Sequence, residues 1–121
     1  MPTILLIEDD DSVRALLRTT LTSAGYSVLE ANSGRQGIRS FRKAPSDLVI
    51  TDLYMPDRDG LEVIEALRRT HPQVKVLAIS GVSGTMGCFP VAQSMGALAV
   101  LQKPFAPSAL LTLVADLLNR E

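Results

Sequence analysis

The stretch DLVITDLYMPDRDG, residues 47–60, decides the reading of this chain. Leu48, Val49 and Ile50 form an apolar run that ends in the carboxylate of Asp52, and a turn rich in Pro, Asp and Gly follows. Such a run, bounded by turn residues, predicts a buried strand that carries one acid to its C-terminal tip. The pattern occurs earlier as well, where Ile4 to Ile7 lead into Glu8, Asp9, Asp10 and Asp11. A third run, Leu98 to Leu101, reaches Lys103 and Pro104. In open parallel α/β sheets ligands bind outside the carboxyl ends of the strands, so these acids and the lysine point to one shared site.

Strands are predicted over residues 3–7, 26–30, 48–51, 74–79 and 98–101, continuous enough in apolar character to be covered on both faces. Helical patterns lie between them. The first has Val13, Leu16, Leu17, Leu21 and Ala24 at helical spacing, with Gly25 as its stop. Asp10, Asp11 and Ser12 stand where N-caps belong, and Asp11 and Ser12 are the expected caps. The second opens with Ser33 and Gln36 as a capping box and turns Ile38 and Phe41 inward. The third opens near Asp59, with Glu62 three residues on, and buries Val63, Ile64 and Leu67. The fourth is short, with Pro90 in its first turn and Gly96 beyond it. The last starts near Pro107 and carries a stripe of Leu110, Leu113, Val114, Leu117 and Leu118. Five βα units predict a three-layer α/β/α sandwich around a parallel sheet with right-handed crossovers. One domain over residues 1–121 is expected.

Composition narrows the function. A chain of 121 residues with 46% hydrophobic content can bury roughly two-thirds of its unfolded surface. A net charge of −1 disfavours non-specific nucleic-acid binding, which needs many phosphate-neutralising cations. The single cysteine, Cys88, excludes a disulfide framework or a cysteine-rich metal site. The N-terminus lacks the features of a signal peptide, and no apolar run approaches about 20 residues. A cytoplasmic protein without membrane or direct nucleic-acid partners is expected.

Glu8, Asp9 and Asp52 can share a site only with protonation or a cation, since carboxylates about 4 Å apart repel by roughly 4 kcal/mol at an effective dielectric of 20. A hard oxygen-ligand cation such as Mg²⁺ suits them and leaves room for a phosphoryl oxygen. Lys103 offers a point charge for another phosphoryl oxygen, and Ser80 a hydroxyl at the fourth strand tip. The set reads as a phosphoryl-transfer site with Asp52 as nucleophile.

These residues resemble the receiver domain of two-component response regulators over nearly the whole chain. The matching pieces are the acidic pair in ILLIEDDDSVR, the Asp in DLVITDLYMPDRDG, Ser80 after the fourth strand and Lys103–Pro104 after the fifth. The resemblance implies a flavodoxin-like (βα)₅ fold with strand order 2-1-3-4-5. It implies Mg²⁺, or Mn²⁺, bound by Asp9, Asp52 and the Tyr54 backbone carbonyl, with Glu8 acting through water. It further implies a cis Lys103–Pro104 bond, and phosphorylation of Asp52 by a histidine kinase, a histidine phosphotransfer protein or a small-molecule donor. Ser80 and Lys103 then bind the phosphoryl group, and a downstream effector docks on the fourth helix, fifth strand and fifth helix. The protein would catalyse only its own aspartyl phosphorylation and dephosphorylation, and no output domain is expected after the last helix.

Val100 departs from the pattern, standing three residues before Lys103 where the family usually carries Tyr or Phe. Valine cannot make the inward swing of that aromatic. Gly81, Gly84 and Gly87 in the following-strand loop raise the entropy cost of ordering it, so switching is expected to order residues 81–95. Tyr54 is placed to shield the phosphoryl group from water. Two other readings stand beside this one: a pseudo-receiver that binds partners constitutively, and a metal-dependent phosphohydrolase. The first normally loses an acid or the lysine, and none is lost. The second, of haloacid-dehalogenase type, wants D-x-D, and Asp52-Leu53-Tyr54 fails that test. Arg35, Arg39, Arg42 and Lys43 form a basic helix face. His71 precedes the fourth strand, away from the acids, and is neither ligand nor base.

Overall fold

Residue parity in the strands sets the architecture. In the computed structural model, which describes residues 2–53, 60–80 and 97–120, strands β1 (Thr3–Ile7), β2 (Ser27–Ala31), β3 (Leu48–Asp52), β4 (Val76–Ser80) and β5 (Ala99–Gln102) form one parallel sheet in the order β2-β1-β3-β4-β5. Among the described residues the helices are α1 (Asp11–Ser23), α2 (Gly34–Lys43), α3 (Gly60–Thr70) and a C-terminal helix, α4 (Pro107–Asn119). Successive strand side chains point to opposite faces. Thus Leu5, Ile7, Val49, Val76 and Ala78 pack with Ile38, Phe41, Val63, Ile64 and Leu67 of α2 and α3. Ile4, Leu6, Leu48, Ile50, Leu77 and Ile79 pack with Leu17, Leu21, Leu110, Val114 and Leu117 of α1 and α4. One apolar run therefore serves two cores, which is why β1, β3 and β4 show no alternation.

The edge strands do not follow that rule. Most of β2 and all of β5 are partly or fully exposed, because each has a neighbour on one side only. Boundaries also shift slightly. Tyr26 donates its N–H to Leu21 O at 3.3 Å, and Gly25 has φ +98°, so the turn out of α1 claims Tyr26 and β2 begins one residue later than expected. Val74 N–H donates to His71 O at 3.0 Å, holding it in a turn, and β4 starts at Val76.

Helix α1 departs from the expected stripe: Leu16 is 62% exposed and Ala24 is also exposed, while Val13, Leu17 and Leu21 face the sheet. Its N-cap is Asp10, whose Oδ1 accepts from Val13 N–H at 3.0 Å, in place of Asp11 or Ser12. Asp11 instead lies in the first turn and pairs with Arg14 at 2.6 Å. In α2 the Ser33 hydroxyl accepts from Gln36 N–H at 3.1 Å, and Gln36 Oε1 reaches back to Asn32 N–H at 2.6 Å. Pro107 opens α4, where a missing N–H is harmless. His71 meets Phe41 edge-on at 4.9 Å, at the sheet end opposite the acids. The expected fourth helix, with Pro90, and Asp59 at the start of the third lie outside the described residues, as does Cys88. No helix among the described residues is long and apolar enough to cross a membrane.

Candidate phosphoryl-transfer site

Three strand ends and the segment after β5 converge. Glu8 leaves β1 with its N–H donated to Ala31 O at 3.0 Å, so the β1–β2 ladder runs one residue further and turns the Glu8 side chain into the protein, 2% exposed. Asp9 beside it is exposed. Asp52 closes β3 opposite Ile79 and is 7% exposed. The next residue is fixed on both sides: Leu53 N–H donates to Ile79 O at 2.9 Å, and Leu53 O accepts from Gly60 N–H at 2.9 Å. Carboxylate oxygens of Glu8, Asp9 and Asp52 lie within 4.8 Å of one another.

Lys103 supplies the counter-charge. Its backbone N–H donates to Ser80 O at 2.7 Å, which extends the β4–β5 ladder and brings Lys103 beside the buried Ser80. The following peptide bond to Pro104 is cis. Lys103 Nζ then reaches Asp52 Oδ2 at 2.9 Å and Glu8 Oε1 at 3.3 Å.

Glu8 is pushed from 4.5 up to about 7, chiefly by burial. The Asp52 charge and a hydrogen bond with Asp9 add to the rise, while the Asp10 N–H, 3.2 Å from Glu8 Oε2, and Lys103 oppose it. Burial acts to lower the Lys103 ammonium, but its bonds and charge interactions with Asp52 and Glu8 prevail and hold it above the ordinary lysine value. Three acids and one shared cation leave an excess of negative charge. The donor set is all oxygen, which suits a hard divalent cation, so the residues can hold a metal ion of the Mg²⁺ class.

Sequence reasoning passed over two residues that build this site. Arg14 donates Nη1 to Glu8 O at 2.9 Å and Nη2 to Asp11, and its Nε lies 3.5 Å from Glu30, so α1 and β2 together hold the peptide that precedes Asp9. The i,i+3 spacing from Asp11 was its available signal. Gly60 is the other: a Cβ there would strike the Asp52 carbonyl oxygen and stand 2.6 Å from Leu53 Cα. Val100 lies half-buried in β5, paired with Ala78 and packed against the core under α2 and α3. Tyr54, whose carbonyl was expected as a ligand, and the 81–95 loop lie outside the described residues.

Known proteins are similar to this chain in sequence and in fold. The chain is 30% identical over 118 residues to the chemotaxis protein CheY of Thermotoga maritima, covering 97% of this chain and 94% of that one. It is 33% identical over 117 residues to the transcriptional regulatory protein GlrR of Escherichia coli K12, covering 97% of this chain but only 26% of GlrR. A response regulator receiver domain protein from Clostridium thermocellum, solved by crystallography, superposes with a TM-score of 0.94 at 28% identity, over 99% of this chain and 96% of that one. The family model described as the response regulator receiver domain matches residues 4–115. The sheet order and the match over most of the sequence agree, and the chain belongs to the response regulator receiver domain family of two-component signalling systems.

Proposed function

We propose that Asp52 is the phosphoacceptor of this receiver, and that a histidine kinase or a histidine phosphotransfer protein supplies the phosphoryl group. The observation that carries the reading is the Lys103 ammonium 2.9 Å from an Asp52 carboxylate that itself lies beside two further acids. An Asp52 oxygen attacks phosphorus, the P–N bond of phosphohistidine breaks, and the imidazole leaves with the electron pair. An aspartyl phosphate remains, and water later hydrolyses it.

Lys103 can follow the developing charge from the carboxylate to a phosphoryl oxygen, and Ser80 stands one residue beyond the β4 partner of Asp52 to bind another. Asp9 and Asp52, with Glu8 through water and the Tyr54 carbonyl, are the residues that would hold Mg²⁺ or Mn²⁺. When bound, such an ion neutralises the carboxylates and the incoming phosphoryl charge. The chemistry is confined to the protein's own aspartate, so the domain acts as a signalling module over residues 1–121, placed in the cytoplasm with its kinase.

The signal leaves through a surface. The expected helix within residues 81–96, β5 and α4 form the face proposed for an effector. With Val100 in β5 no aromatic swing couples that face to the site, so Ser80 and Lys103, joined through their backbones at 2.7 Å, carry the change to β5. Incubation with a radiolabelled phosphohistidine protein tests the acceptor: label should enter the wild type and not Asp52→Asn. Equal labelling of both would place the acceptor elsewhere.

A further inference from the structure

Helix α2, GRQGIRSFRK, carries Arg35, Arg39, Arg42 and Lys43 and no acid, and all four cations are exposed. Elsewhere the described cations are compensated. Arg14 and Arg18 meet Glu30, Arg69 meets Glu65, Arg120 meets Asp116 and Lys103 meets Asp52. Lys75 donates to the carbonyls of Leu118 and Arg120, and Arg35 and Arg68 also make polar contacts within the molecule. Among the described residues, the cations left without a hydrogen-bond or ion-pair partner are Arg39, Arg42 and Lys43, all on α2. Like charges at i,i+3 and i,i+4 work against a helix, and Arg39, Arg42 and Lys43 have no hydrogen bond or ion pair among the described residues to offset this.

We propose that the outer face of α2 docks an acidic, partly apolar segment of a partner protein, separately from the phosphoryl site. Arg35, Arg39 and Arg42 surround a shallow depression of about 420 Å³ whose floor is Ile38. Arg35 to Arg42 spans about 10 Å of helix, the reach of a few residues of a bound segment. Guanidinium forks match carboxylates in pairs. Beside α2 at the sheet edge, Leu29 is 39% exposed. It lies two residues before Ala31, which is buried in the α2-side core, so it faces the same way. Carboxylates with an interspersed apolar side chain complement this surface. A membrane is disfavoured because α2 itself exposes no large apolar side chain, and nucleic acid by the net charge of −1 with exposed acids at the sheet's carboxyl end.

The test is fluorescence anisotropy of a labelled peptide of mixed Glu and Leu at low salt, with ¹⁵N chemical-shift mapping of the bound form. Binding should perturb amides of α2 and Leu29, weaken with salt, and fall roughly tenfold in the Arg39→Gln, Arg42→Gln, Lys43→Gln triple variant. Those side chains have no hydrogen-bond or ion-pair partner among the described residues, so a thermal transition no lower than that of the wild type should accompany the loss. Absent binding, equal binding to the triple variant, or shifts mapped elsewhere would overturn the proposal. Tighter binding to phosphatidylserine vesicles or duplex DNA than to the peptide would overturn the choice of partner.

Discussion

Lys103 Nζ lies 2.9 Å from Asp52 Oδ2 and 3.3 Å from Glu8 Oε1, so one ammonium from after the last strand is shared by two buried carboxyl groups at the ends of β1 and β3. The contact joins three separate chain segments and ties the charge balance of the site to the integrity of the sheet. Removing one partner from a buried pair leaves an uncompensated charge, whose cost exceeds the net worth of the pair itself.

Lys103→Met should therefore destabilise the metal-free protein by about 1–3 kcal/mol at mildly alkaline pH, the larger values for fully buried pairs being reduced because Lys103 is 27% exposed. Saturating Mg²⁺ should recover much of the loss, since a cation then balances the acids. Urea unfolding with and without Mg²⁺ measures both. An equal loss in the two conditions would show that the lysine acts by packing alone.

Burial pushes the Glu8 carboxyl from 4.5 up to about 7 in the folded protein. Its folded value is raised, so between those values the native state holds a proton that the unfolded chain releases. Stability without metal should fall as pH rises from about 4.5 to 7 and then level off, as far as this group contributes. Divalent-ion affinity should run the other way, rising up to roughly tenfold per pH unit towards about 7, because binding needs the ionised carboxylate. Metal titrations across this range check the sign, and Glu8→Gln should flatten the slope. Affinity independent of pH in the wild type would remove Glu8 from the metal site.

Gly60→Ala and Gly37→Ala differ in what the new methyl meets. At Gly60 it meets backbone, the Asp52 carbonyl and Leu53 Cα, which cannot move without dislodging the acceptor. At Gly37 the atoms nearest to it belong to the Ile7 side chain, which can change rotamer. A loss of about 2–4 kcal/mol is expected at Gly60 and about 1–2 at Gly37, with metal affinity lowered only at Gly60. Denaturation midpoints and metal isotherms for the pair decide it; equal effects would contradict the geometry.

Lys75 caps α4 from a distance. Its Nζ donates to Leu118 O at 3.4 Å and to Arg120 O, although no basic residue stands in the last turn of that helix. Lys75→Met should cost about 0.5–1 kcal/mol, with increased amide exchange confined to the end of α4. Unchanged exchange there would show that the contact contributes nothing.

The sequence made the central strands and the charged tips legible because burial on both faces demands unbroken apolar runs, and an acid at the end of such a run stands out. Glu8, Asp9, Asp52 and Lys103 were found that way, and the structure gathers them. Boundaries were placed less well: β2 and β5, only partly covered, each run one residue later than expected, and β4 begins two residues later because the turn from His71 holds Val74. Asp10 could not be separated from Asp11 and Ser12 as the cap, because all three can cap and only the local backbone chooses. Leu16 looked internal from its spacing, but it points about 100° around the helix from Leu17. Gly60 and Lys75 were illegible because their roles depend on backbone brought close by the fold.

The most direct test of the central claim is intact-mass analysis after incubation with acetyl phosphate, with and without Mg²⁺, on the wild type and Asp52→Asn. A gain of about 80 Da that requires both Mg²⁺ and Asp52 is the predicted result. The same gain in Asp52→Asn would contradict it.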